Sequence, residues 1–231
     1  MTTEQLTVLE PFAGIGGLSL GLERAGIRVV GQVEIDPFCR RVLARHFPEV
    51  PRHDDVRTAI TWWQSQPRPR VDIVAGGFPC QPFSDAGLRR GILDERWMWP
   101  AMAALVRHVR PRYVLVENVA ALVRAADAFG IVLGDLAALG FDAEWSVLHA
   151  TEFGAPTPRE RVYLLAYPAG LNGQPRDLLE PSGDRPTPLA TGGLSGLPPH
   201  QRRRQRVRGW LVNPEWSDWL MGFPTRWTAC E

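Results

Sequence analysis

Lysine is absent from this chain of 231 residues: all 26 basic side chains are arginine, set against 25 acidic ones. The resulting formal charge of +1 excludes a strongly cationic coat, although a net value can hide local patches. Coding bias explains the missing lysine more simply than a preference for bidentate phosphate contacts. Cysteine is also scarce. Cys39, Cys80 and Cys230 are odd in number and lack metal-ligand spacing, so neither a disulfide framework nor a metal site is expected. No apolar run approaches the roughly 18–20 residues of a membrane span, and Met1–Thr7 lacks the basic and apolar pattern of a signal peptide. A reducing cytoplasm with no membrane contact follows as the expectation. No repeat of 20–50 residues is visible. What remains, 45% apolar and 22% charged residues, lies in the ordinary globular range and is long enough to bury a core.

Up to about residue 167, short β-branched runs alternate with longer amphipathic stretches. Strands are expected near Leu6–Glu10, Arg28–Glu34, Val71–Ala75, Tyr113–Glu117, Glu144–Ala150 and Val162–Tyr167. Helices are expected over Leu18–Ala25, Pro37–His46, Val56–Trp63, Arg96–Val109 and Phe129–Leu139, with Gly26 and Gly140 as stops. Repeated βα units of this kind predict an α/β fold with an open, doubly wound, mostly parallel sheet. Trp62, Trp63, Trp97 and Trp99 read as core or helix packing rather than as platforms for bases. From Pro168 the composition turns to Gly, Pro, Ser, Thr and Arg without periodicity. The organisation predicted is a main domain over 1–167, a loop-rich insert over 168–212 and a returning segment over 213–231. In that last segment Asn213 caps a helix beginning at Pro214, with Trp216, Trp219 and Leu220 on one face.

Ligands of open α/β sheets bind at the carboxyl ends of the strands, and those ends are rich in chemistry here. The first strand runs into Phe12-Ala13-Gly14-Ile15-Gly16-Gly17, a bend where backbone N–H groups and a helix N-terminus can approach a ligand. Glu34 stands about 20 residues beyond the first of those glycines, the distance at which an acidic side chain meets the ribose of an adenosine cofactor. Ser19 breaks the G-x-G-x-x-G fingerprint and weakens a nicotinamide reading. Asp55 is either a cap for the helix after it or a ligand residue. Cys80 lies among Gly and Pro beyond its strand, where a packing cysteine has little reason to be, and reads as a presented nucleophilic thiol. The segment Ser84-Asp85-Ala86-Gly87-Leu88-Arg89-Arg90-Gly91 is a candidate lid. Glu117-Asn118 closes the next strand; Glu117 is a helix cap or a carboxyl group that hydrogen-bonds or protonates a substrate ring. Arg159 and Arg161 alternate before a buried strand and are suited to holding an anion or a carboxylate. The run Gln201–Arg208 is a solvated charge cluster or a sequence-blind contact with phosphates.

Taken in this order, the motifs resemble those of the S-adenosylmethionine-dependent DNA cytosine-5 methyltransferases. Phe12–Gly17, Val33–Asp36 and Asp55-Val56 are similar to the three cofactor motifs, and Gly77-Phe78-Pro79-Cys80-Gln81 to the nucleophile motif. Glu117-Asn118-Val119 looks like the substrate motif, Arg159-Glu160-Arg161-Val162 like the arginine motif, and Met221-Gly222-Phe223-Pro224 with Trp227 like the segment after the recognition region.

The resemblance implies a Rossmann-like methyltransferase in which residues 168–212 are a reduced target-recognition segment. It further implies S-adenosylmethionine held by Phe12, Gly14, Ile15, Gly16, Gly17, Glu34, Ile35, Asp55, Val56 and Pro79. Cys80, Glu117, Asn118, Arg159 and Arg161 would be catalytic. Gln81, Ser84, Arg89, Arg90, Arg203, Arg204 and Arg206 would contact nucleic acid, with a flipped-out cytosine. DNA as substrate, a partner restriction endonuclease and a monomeric state complete the expectation. The chain departs from the family at Thr157, where the arginine motif carries Gln, and in reaching Glu231 without the Gly-Asn motif. A tRNA methyltransferase of the same chemistry and a silent DNA-binding remnant therefore stand beside the main reading.

Overall fold

The computed structural model describes residues 5–79, 97–153, 155, 159–170, 223, 224, 227 and 228. The chain divides into two units, Met1–Leu148 with Glu160–Pro181 and His149–Arg159 with Ser182–Glu231. The first holds β1 (Thr7–Pro11), α1 (Gly17–Arg24), β2 (Arg28–Val33), α2 (Pro37–His46), β3 (Arg52–His53), α3 (Ala59–Gln64) and β4 (Ile73–Gly76). After these come α4 (Trp99–Val109), β5 (Tyr113–Val119), α5 (Ala121–Arg124), α6 (Ala126–Ala138), β6 (Phe141–His149) and β7 (Glu160–Pro168). Among the described residues of the second unit, a 3-10 turn spans Ala150–Phe153, and the rings of Phe223 and Trp227 stack with centroids 5.4 Å apart.

The local reasons for these elements are visible in the residues. Asp36 accepts hydrogen bonds from the Phe38 and Cys39 N–H groups at 2.7 and 3.0 Å, and Pro37 follows at the first helical position, so α2 starts where the sequence predicts. Those two N–H groups also hold the Asp36 carboxyl below the usual carboxylate range. At the end of α1, Gly26 has φ 80°; its N–H donates to Glu23 O and that of Ile27 to Leu22 O, the paired closure that a left-handed residue permits. Helix α3 begins at Ala59 rather than at Val56. Asp55 Oδ1 accepts the Arg57 N–H at 2.9 Å and Thr58 N–H donates to Asp55 O, which turns residues 55–58 into a tight bend ahead of the helix. Asp55 therefore does not cap α3.

The sheet has seven strands in the order β3-β2-β1-β4-β5-β7-β6. The pairs β3–β2, β2–β1, β1–β4 and β4–β5 are parallel, and β7 is antiparallel to β5. The predicted doubly wound, mostly parallel sheet is therefore observed, with β3 and α5 as additions. Strand order reverses direction at β1 and β4, so the crevice expected to receive ligands lies beyond their carboxyl ends.

Alternation along the strands divides the core between the two faces of the sheet. Leu9, Val74, Val114 and Val116 pack with Trp99, Met102, Leu105 and Val106 of α4 and with Val132 and Leu136 of α6. Val8, Ile73 and Tyr113 point the other way and pack with Leu22 of α1 and Tyr167. Trp63 and Trp99 are buried and Trp62 and Trp97 lie against the same core, as their packing role predicts. Among the described residues no helix is long and apolar enough to cross a membrane.

Candidate functional site

The first loop follows β1. Phe12 (φ 61°), Gly14 (φ 56°) and Gly16 (φ 87°) all take left-handed backbone, which folds residues 12–16 into a compact turn ahead of α1. The turn is tied to β2 by Ala13 N–H, which donates to Val33 O at 3.0 Å. It is tied more strongly by Glu34: the Gly14 N–H donates to Glu34 Oε2 at 2.7 Å, while Glu34 Oε1 accepts the Asp36 N–H at 2.8 Å. The separation of about 20 residues noted in the sequence is thus a direct contact. A Cβ added to Gly14 would enter open space, whereas one on Gly16 would strike Phe47 at 2.8 Å, so the turn is packed beneath and open above. Beside Glu34, Ile35 is 66% exposed and Phe38 is also exposed, an apolar surface next to an acid. Arg40 Nη1 donates to the carbonyls of Glu34 and Ile35 and fixes that segment. Asp55 is clasped by the Arg57 guanidinium at 2.6 Å, and Val56 is buried in the core.

Beneath this turn lies a polar chain that the sequence reading missed. Glu10 of β1 and Gln32 of β2 are buried in a largely apolar strand layer, and Ser19 of α1 is buried against them. Ser19 Oγ hydrogen-bonds Glu10 Oε2 and accepts from Gln32 Nε2 at 2.8 Å; Gln32 Oε1 in turn accepts from Arg52 Nη1 at 3.4 Å. Burial pushes the Glu10 carboxyl up to about 8, against the opposing pull of its bonds to Ser19. The available signal was an acid on an otherwise apolar strand, since a charge there needs a partner.

The second loop follows β4. Phe78 is buried, with its ring 5.4 Å from Trp97 and 5.5 Å from Trp99. Its carbonyl accepts a hydrogen bond from Asn118 Nδ2 at 3.0 Å, and the Asn118 side chain is itself buried. This fixes the backbone two residues before Cys80. Gly77 faces Glu117: a Cβ at that position would lie 2.7 Å from Glu117 Oε2. Strand β5 continues through Val119, and α5 follows Ala120, so Glu117 is a strand residue and not a helix cap. Opposite it in β7, Arg161 Nε meets Glu117 Oε1 at 2.9 Å with both side chains partly exposed. The antiparallel register explains the contact, because Glu117 faces Tyr163 and Val119 faces Arg161, leaving Arg161 on the diagonal.

Glu117, Asn118, Arg161, Gly77 and Pro79 are thus gathered at the ends of β4, β5 and β7. Phe12, Gly14, Ile15, Gly16, Gly17, Glu34 and Ile35 form the neighbouring group at β1 and β2. Arg159 belongs to the second unit, where its carbonyl accepts the Ala150 N–H at 2.8 Å. Cys80, Gln81, Ser84, Arg89, Arg90, Arg203, Arg204 and Arg206 lie outside the described residues, as do residues 171–212 of the predicted recognition insert, whose first residue, Pro168, ends β7.

Residues 6–197 match the family model of the C-5 cytosine-specific DNA methylases. The Type II methyltransferase M.DsaV of Dactylococcopsis salina is 31% identical over 226 residues, covering 90% of this chain and 62% of its own length. The Type II methyltransferase M.HhaI of Haemophilus parahaemolyticus is 33% identical over 172 residues, covering 73% and 51%. The crystal structure of the S. pombe Dnmt2 methyltransferase superposes with a TM-score of 0.55 at 27% identity, covering 71% of this chain and 51% of that one. The chain therefore spans between about half and two thirds of the length of these relatives.

Proposed function

The chain belongs to the C-5 cytosine-specific DNA methylase family, and from that membership we propose that it methylates carbon 5 of cytosine in DNA, using S-adenosylmethionine. The observation that carries this reading is the Glu117–Arg161 pair, set against Gly77 in the same loop that leads to Cys80. The cofactor fits the residues present. Gly14 leaves open space over the turn, Glu34 has carboxylate oxygens suited to ribose hydroxyls, and the exposed Ile35 offers an apolar contact for a ring.

When bound, S-adenosylmethionine supplies an electrophilic methyl group. The Cys80 thiolate adds to carbon 6 of the cytosine, forming an S–C bond and moving the electron pair of the ring double bond toward carbon 5. Glu117 holds ring nitrogen 3 and the exocyclic amino group, and Arg161 keeps that carboxyl group aimed at the ring. Asn118 holds the loop through Phe78 O. After carbon 5 takes the methyl group, its proton passes to water, the ring double bond re-forms and Cys80 leaves as thiolate. Carbon 6 is closed off in a stacked duplex, so the base is flipped out, with Gln81, Ser84, Arg89 and Arg90 around it. Arg159 supports the base or its phosphate, while Arg203, Arg204 and Arg206 contact DNA phosphates. Phe12, Ile15, Gly16, Gly17, Asp55, Val56 and Pro79 complete the cofactor site.

In this reading residues 1–167 are the catalytic part, 168–212 the short recognition insert and 213–231 the returning segment. The protein is a cytoplasmic, monomeric modification enzyme with a restriction endonuclease as its partner. The test is transfer of labelled methyl from S-adenosylmethionine to duplex DNA and to tRNA, by this chain and by Cys80→Ser. We expect label in DNA and none with Cys80→Ser. Product from Cys80→Ser overturns the nucleophile, label confined to tRNA overturns the substrate, and cofactor binding without transfer to either favours the silent remnant.

A further inference from the structure

We propose that Glu10 is a positioning residue for the cofactor turn and works as an uncharged carboxylic acid, closing a clasp with Ser19 across the two ends of residues 11–18. The inference rests on the cofactor reading above. Glu10 is only 1% exposed, pairs in register with Gln32 on the neighbouring strand, and reaches across to the first turn of α1. There it meets the hydroxyl of Ser19. Ser19 stands in the first turn of α1, where Gly16 at the cap position makes no side-chain hydrogen bond of its own. Glu10 therefore braces the first turn of α1 from the adjoining strand, through the Ser19 side chain. The clasp fixes the stem of the turn, while Glu34 fixes its crown through Gly14.

The charges around Glu10 favour keeping its proton. Arg52, on β3, reaches only Gln32 Oε1 and spends its other contacts on the carbonyls of Leu43 and Phe47. Glu34 contributes a like charge that further disfavours ionisation, and α1 contributes only the neutral Ser19. Ionising Glu10 would bury a charge with no contacting cation among the described residues and set it against the carboxylate that anchors the same turn. A glutamine in its place stays neutral and keeps a carbonyl oxygen that accepts from the Ser19 hydroxyl, as Glu10 Oε2 does.

The experiment measures S-adenosylhomocysteine affinity by calorimetry, and thermal unfolding without ligand, for the unsubstituted chain, Glu10→Gln and Glu10→Ala. Any titration of the ligand is common to all three. With the Glu10 carboxyl at about 8, the competent fraction and hence the affinity of the unsubstituted chain should fall about tenfold from pH 7 to pH 9. Glu10→Gln should hold its pH 7 affinity within about threefold and lose most of that fall. Glu10→Ala should bind more weakly at every pH or fail to fold.

Unfolding temperature gives a second readout. The proton is held more tightly in the folded chain than at the ordinary carboxyl value of 4.5, so this contribution is complete below that pH and disappears as pH rises to about 8. Glu10→Gln should remove the slope. A flat affinity profile in the unsubstituted chain, or a large loss of affinity in folded Glu10→Gln at pH 7, overturns the uncharged role of Glu10. Failure of the unsubstituted chain to bind S-adenosylhomocysteine at any pH overturns the cofactor reading as well.

Discussion

At the scale of single residues, Gly77 carries a constraint that the motif alone does not explain. Its hydrogen faces the Glu117 carboxylate, where a methyl group would sit 2.7 Å from Oε2. Something must shift, and Glu117 is also held by Arg161. Gly77→Ala should therefore lower methyl transfer by about tenfold or more, since small misplacements of a positioned group are costly. It should leave S-adenosylhomocysteine affinity within about twofold, because the turn at Gly14 is anchored elsewhere. Single-turnover transfer and calorimetry on the same protein separate the two effects, and unchanged transfer would show that Glu117 can move aside without consequence. Glu117 itself illustrates why a residue type is ambiguous in sequence. An acid after an apolar run serves equally well as a cap, and only the continuation of β5 to Val119 decides against that role.

At the scale of elements, legibility followed the strength of the local signal. Helix α2 was readable to the residue because Asp36, Pro37 and the apolar spacing agree. Strand β3 has two residues, too few for any period, and α5 has four. The start of α3 was misplaced because an aspartate that closes a turn over its own backbone resembles a helix cap until the bonds are seen. Helix α4 supplies the most central packing, with Trp99, Met102 and Leu105 buried against the sheet and α6. Truncating Leu105 to alanine should cost about 2–5 kcal/mol, measured by chemical denaturation with an unchanged slope, because the surrounding strands and helix cannot collapse into the space.

At the scale of the whole molecule, the parallel order of β3-β2-β1-β4-β5 places two loops from sequence-distant segments side by side. That much follows from βα repetition. The sense of β7 does not, since an apolar strand pairs equally well in either direction; nor did the sequence reveal Glu10, whose neighbours come from α1 and β2. The division of labour between the loops is testable. Glu34→Ala should weaken S-adenosylhomocysteine binding by about tenfold or more while changing affinity for DNA by less than about threefold, as expected for a hydrogen-bonding group on one ligand only. Calorimetry with each ligand checks this, and equal losses for both would remove the ribose role from Glu34.

The antiparallel placement of β7 also bears on when the protein becomes competent during its synthesis. Glu117 and Arg161 are 2.9 Å apart in space but enter the chain on strands separated by α5, α6 and β6. A ribosome that has delivered everything through β5 has made the carboxyl group without its guanidinium, and the pair awaits the arrival of the strand that docks beside it. Under the proposed function, nascent protein holds both loops before it can aim the acid, so base chemistry would wait until β7 is in place.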